Sequence, residues 1–210
     1  MLTGLRQSAW SRYQRINSEA TGVSIIANNC WGGFVYQRFG ARYETPFVGL
    51  YMLPDCYLRL LEDLDKYLAT PLQFIPNPQG SYPLGVLDGD VTLHFLHALS
   101  AVEAANDWAR RLSRLNRESL AVKMCDRDGC TAEHIRRFAA LPYVKKVCFV
   151  SRPVDVECAV YVPGFEAQGQ VPTDLHQRMD QHFDISHWLK SGRIRRPGIS
   201  HRALHRVLCH

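Results

Sequence analysis

Val23-Ser24-Ile25-Ile26-Ala27-Asn28-Asn29-Cys30-Trp31-Gly32-Gly33 is the stretch from which the chain is read most directly. It opens as a short apolar run rich in β-branched residues, the composition of a buried strand. Two asparagines, a cysteine and a Gly-Gly pair then stop the strand abruptly. Asn tolerates left-handed backbone, and Gly lets the chain turn tightly or approach a ligand. A strand stopped this way presents side chains at the carboxyl edge of a sheet, where open α/β sheets bind ligands. Cys30 is the foremost candidate for chemistry, with Asn28, Asn29, Trp31, Gly32 and Gly33 as candidate binding groups.

Working outward, a short helix is expected over 34–39, ended by Gly40, then extended chain over 45–51. Asp55 follows Pro54 as a helix cap, and Tyr57, Leu60, Leu61, Leu64 and Leu68 recur at helical spacing. A short strand over 72–75 precedes the loop Pro76-Asn77-Pro78-Gln79-Gly80. The runs Tyr82 to Leu87 and Val91 to His97, split by Asp88-Gly89-Asp90, read as a hairpin. Ser100-Ala101-Val102-Glu103 matches a capping box. Core strands over 120–125 and 147–151 flank a helix capped by Thr131 and closed by Pro142. A further strand over 159–162 and a helix from Asp184 to Leu189, stopped by Gly192, follow. Strand and helix alternating in this way is the signature of parallel βαβ units. The expected fold is α/β: one three-layer Rossmann-like domain over 21–192, with a mostly parallel sheet and one antiparallel hairpin. Residues 1–20 read as a helical extension, with a helix over 5–16, and 193–210 as a basic tail.

A chain of 210 residues can bury a sizeable core. No segment approaches the roughly 20 continuous apolar residues of a membrane span, and the N-terminus lacks a signal peptide's apolar region. A cytoplasmic protein is expected, at the inner face of the membrane if peripheral. The seven cysteines show no Cys-x-x-Cys pair, so free thiols packed as small apolar groups are the ordinary reading. The net charge of +5 gathers at the C-terminus in Arg193, Arg195, Arg196, Arg202 and Arg206. That patch suits phosphates or an anionic surface; it equally suits a solvated tail. No nucleic-acid-binding motif is present, and nucleic acid is not an expected partner.

For chemistry, a thiolate at a helix start with a histidine base makes a nucleophile. His94 and His97 are the candidate bases for Cys30. They point to opposite faces if the strand runs on, and to one side if a helix begins early. The alternative for Cys30 is a small residue packed beneath Trp31. Asp126 and Asp128 form an Asp-x-Asp-Gly strand end that either offers oxygen ligands to a divalent cation or makes a turn. Turn chemistry is the favoured account, and an Asp orienting a histidine is the other catalytic option. No tightly bound metal is expected. Tyr36 and Arg127 complete the candidate binding set. Gly-x-Gly-x-x-Gly, Walker and Gly-x-Ser-x-Gly signatures are absent, which argues against the usual dinucleotide enzymes, P-loop ATPases and α/β-hydrolases.

The run Asn28-Asn29-Cys30-Trp31-Gly32-Gly33 resembles the opening motif of a bacterial family known as a domain of unknown function, DUF1919. Tyr82-Pro83-Leu84-Gly85, His94-Phe95-Leu96-His97 and Asp126-Arg127-Asp128-Gly129-Cys130 fit the same family. Its members are often labelled exopolysaccharide biosynthesis proteins, and the resemblance implies that setting. The Cys turn is also similar, locally, to the Cys motif of capsule acetyltransferases that bind coenzyme A. Together these imply acyl transfer, acetyl foremost, from a coenzyme A thioester to a sugar hydroxyl of a polysaccharide intermediate. Cys30 would then be nucleophile, a histidine base, and Asn28, Asn29 and turn amides an oxyanion site. Two alternatives stand beside it: a metal-dependent glycosyltransferase using Asp126 and Asp128, and a non-catalytic subunit in contact with membrane-bound assembly machinery.

Overall fold

The apolar runs at 120–125 and 145–150 become the two central strands of a four-stranded parallel sheet. Their order is β1 (Ser24–Ala27), β5 (Leu120–Cys125), β6 (Lys145–Val150) and β7 (Ala159–Tyr161). A strand covered on both faces reads as a continuous apolar run, and β1 is buried along its whole length. The computed structural model describes residues 22–78 and 80–198. The expected helix over 5–16, the tail from residue 199 onward and Cys209 lie outside the described residues.

Two cores lie on opposite faces of this sheet. One packs Ile26, Val122, Met124, Cys148 and Val150 against α2 (Pro54–Glu62), α3 (Leu64–Ala69), α5 (Ala132–Ala140) and a second sheet. The other packs Ile25, Ala121, Cys125, Val147 and Phe149 against α1 (Trp31–Phe39), α6 (Leu175–Arg178) and α7 (Ile185–Ser191). The second sheet is antiparallel, in the order β2 (Gln73–Ile75), β3 (Leu84–Leu87), β4 (Val91–His94). Its hairpin closes on Asp88 and Gly89, both at positive φ (50° and 79°), as a tight two-residue turn requires. Helix α4 (Ala101–Leu112) follows, with the Ser100 side chain accepting from the Glu103 amide.

The sequence reading departs from this architecture at element ends, inside the helix over 55–68, and over 45–51, expected extended, where residues 45–49 form a bend and turns. Helix α1 starts at Trp31 rather than at residue 34, so Cys30 becomes its N-cap residue. The expected helix over 55–68 is broken at Asp63 (φ −140°), and Leu53, not Asp55, precedes its first turn. Strand β4 stops at His94 instead of His97: its ladder partner β3 begins at Leu84, just after Pro83, which has no amide to donate.

Candidate functional site

Cys30 is set at the carboxyl end of β1, at the start of α1, as the strand's abrupt stop implies. The segment around Tyr51 carries the second half of the site to it. The Met52 amide donates to the Asn28 carbonyl at 3.0 Å, and Tyr51 exchanges two 3.0 Å backbone hydrogen bonds with His94. That stitch joins the end of β1 to the end of β4. Three residues past His94, the His97 ring meets the thiol, with Nε2 3.2 Å from Cys30 Sγ. His94 goes elsewhere: its Nδ1 lies 3.3 Å from the Tyr82 hydroxyl, its ring is edge-on to Tyr51, and burial pulls its pKa down.

Burial pushes the Cys30 thiol up, opposed by its own backbone amide and by the charge of Lys123. The His97 ring nitrogen is the polar side-chain group in contact with that thiol.

Lys123 sits beneath, in the middle of β5, with no solvent exposure. Its Nζ donates to Asn29 Oδ1 at 3.1 Å and Asn28 Oδ1 at 3.3 Å. The Asn29 oxygen also accepts from the Trp31 amide at 3.2 Å, and the Asn29 amide group contacts Cys125 Sγ at 3.4 Å. The asparagines therefore anchor a buried cation under the thiol rather than offering their amides to an oxyanion. A lone lysine inside an apolar strand, Leu120-Ala121-Val122-Lys123-Met124-Cys125, is the signal that sequence reasoning passed over, since a charge in a core needs a reason.

The remaining candidates divide: Trp31, Gly33, Arg127 and Asp128 line the cavities beside Cys30, and Gly32, Tyr36 and Asp126 do not. Trp31 is buried against Phe149 and Trp188 and donates from Nε1 to Met179 Sδ. Gly32 and Gly33 lie in the first turn of α1, not in a positive-φ turn. A side chain on Gly32 would meet Ile25 at 3.3 Å, and one on Gly33 would meet Val48 at 3.2 Å, so both serve close helix packing. Tyr36 is fully buried; its hydroxyl donates to the Val23 carbonyl at 2.7 Å and accepts from the Ile25 amide at 2.9 Å, far from a binding role. Asp126 has both oxygens engaged: Oδ2 by the Ser151 amide and hydroxyl (2.7 Å), Oδ1 by the Val171 amide at 2.8 Å. It touches neither histidine as an orienter. Asp128 adopts φ 60° and, with Gly129, forms a turn. Among the described residues no group of three or more His, Cys, Asp and Glu side chains is arranged for a metal ion. Arg127 stays at the site, donating to the Val171 carbonyl and lying 3.9 Å from Asp128.

Two cavities meet at Cys30. One, of about 250 Å³, runs under α4 and is lined by His97, Gln37, Glu103, Asp107, Trp108 and Arg111, among others. The second, of about 390 Å³, runs over β5 and is lined by Tyr51, Tyr82, Lys123, Arg127, Asp128 and Thr173, among others. His97 belongs to the first, and Lys123 and Arg127 to the second. A nucleophile shared by two clefts can receive a group from one and release it to the other.

The model of a family described as a domain of unknown function, DUF1919, matches residues 3–190. A Haemophilus influenzae protein described as uncharacterized is 40% identical over 151 residues, which are 71% of this chain and 72% of that protein.

Proposed function

The chain belongs to the DUF1919 family, and from that premise and its own site we propose that it is a thiol-dependent acyltransferase. The reading rests on one observation: Cys30 Sγ lies 3.2 Å from His97 Nε2 at the junction of two cavities. The donor is a coenzyme A thioester, acetyl foremost, and the acceptor a hydroxyl of a sugar in a surface or exopolysaccharide intermediate. The resemblance of the motifs to exopolysaccharide proteins supplies that setting. No helix among the described residues is long and apolar enough to cross a membrane.

The thiol attacks the thioester carbonyl as His97 Nε2 takes its proton. A raised thiol pKa makes that contact necessary, because little thiolate exists without a base. The carbon–sulfur bond to coenzyme A breaks, the leaving thiolate recovers the proton, and Cys30 holds the acyl group. The buried Lys123 ammonium favours negative charge as it develops beside it. A hydroxyl then loses its proton to His97 and attacks the Cys30 thioester, giving an ester and the free thiol. Intact-mass measurement after incubation with acetyl-coenzyme A should show one acetyl group on Cys30, absent in Cys30→Ala. His97→Ala should slow its formation by about 10²-fold or more. A wild-type protein that never gains the acetyl group would overturn this reading.

A further inference from the structure

We infer that the two cavities divide the substrates: the acceptor occupies the α4 cavity and is a carbohydrate, and the anionic thioester donor occupies the β5 cavity. This rests on the acyltransfer reading for the direction of the chemistry, but each cavity's content carries it separately. The base lines only the α4 cavity. In the second half-reaction His97 must reach the attacking hydroxyl, so the hydroxyl compound has to lie on that side. The walls there match a polyol. Trp108 offers an apolar ring, and Gln37, Glu103, Asp107 and Arg111 present planar hydrogen-bonding groups of both polarities. A sugar has CH faces that stack on an aromatic and hydroxyls that both donate and accept. Asp107 is held by Arg110 and Arg111, which fixes its carboxylate at the cavity wall.

The β5 cavity has the reverse balance. Lys123 and Arg127 are set against the single carboxylate of Asp128, and His176 is held towards its neutral form by burial and by Arg38. Tyr51, Tyr82, Leu96, Val171 and Pro172 give it mainly apolar walls, suited to an acyl group and a flexible thiol arm. In the first half-reaction Cys30 Sγ–acyl forms as the donor carbon–sulfur bond breaks. In the second, the new oxygen–acyl bond forms as Cys30 Sγ–acyl breaks, and the hydroxyl proton passes through His97 to the released thiol. No redox partner is needed, and the two substrates never have to share one pocket.

The test uses the full chain and two variants, Asp107→Asn in the α4 cavity and Arg127→Ala in the β5 cavity. Binding is read on a Cys30→Ala background, free of turnover, with coenzyme A and a panel of methyl hexosides as probes in saturation-transfer NMR. Asp107→Asn should weaken the glycoside signal tenfold or more and leave coenzyme A binding within about twofold; Arg127→Ala should do the reverse. With Cys30 restored, Asp107→Asn should slow discharge of the acetyl group while loading stays close to wild type. The same crossed binding pattern with no acetyl adduct would sink the Cys30 chemistry and keep the division of the cavities. A reversed pattern, both probes lost in one variant, or glycosides and coenzyme A that do not bind, would overturn the division. Loss of fold in Asp107→Asn is controlled by Gln37→Ala, an exposed residue of the same cavity, with the same expected outcome.

Discussion

The Lys123 ammonium lies 3.1 Å from Oδ1 of Asn29 and has no exposure to solvent, so a full charge is held inside the sheet by neutral oxygens. Such a charge costs free energy to bury, and function is a common reason for keeping one. Its charge pulls the Cys30 pKa down against burial. Lys123→Met removes that pull and keeps most of the volume. The pH profile of Cys30 alkylation by iodoacetamide should move to higher pH, with about tenfold slower labelling at neutral pH for each unit moved. An unchanged profile in a folded variant would show that Lys123 does not act on the thiol.

Cys30→Ser should leave the fold intact. The residue is half-buried, and the hydroxyl can keep the hydrogen bond to His97. Denaturant unfolding should shift by less than about 1 kcal/mol, while acyl-adduct formation at this position disappears. A large loss of stability would instead identify Cys30 as a packing residue.

Asp126→Asn should be destabilising rather than catalytically selective. The amide presents a donor where Ser151 and Val171 already donate, leaving at least one buried group unpaired. The cost should be about 2–3 kcal/mol by chemical denaturation. Titration with manganese should give the same weak heat for variant and wild type. A stoichiometric manganese site lost in the variant would return Asp126 to metal chemistry.

Burial lowers the pKa of His94, His176 and His182 from 6.5. In the unfolded chain they protonate near 6.5, before they do in the fold. The stability they contribute is therefore full above that pH and is lost as pH falls through the lower folded values. Tm should drop between pH 7 and pH 5. His176 stacks on Phe34 at 3.7 Å between ring centroids, and His176→Gln should flatten that slope. An identical slope in the variant would refute its share.

Gly32→Val should cost about 1–3 kcal/mol, because the added carbons crowd Ile25 across the α1–β1 contact. Thermal unfolding measures it. Equal stability would mean that α1 can shift away from the strand without loss.

Much of the scaffold was legible because apolar runs and caps are local. The strands at 120–125 and 159–161, the hairpin at Asp88-Gly89, and the caps at Ser100, Thr131 and Asp184 all follow from short-range chemistry. Cys30 stood out for the same reason. The choice between His94 and His97 did not, since it depends on where β4 ends and on how the chain after it is carried to Cys30, and the pairings of His94 with Leu84 and Tyr51 are set by tertiary structure. Tyr36 follows the motif closely in sequence, which places it near the site without placing its ring. Its ring in fact turns away to bond the backbone of β1. The partner of Asn28 and Asn29 was not legible: Lys123 lies 95 positions on from Asn28, in a strand whose pattern is otherwise apolar.

The thiol and its base come from different sheets, joined through the short segment at Tyr51 and Met52. Neither sheet alone holds a reactive centre. A chain in which the hairpin has not docked holds Cys30 without His97 beside it. The contact between thiol and imidazole is thus a product of tertiary assembly, made only when the small sheet seats against the parallel one.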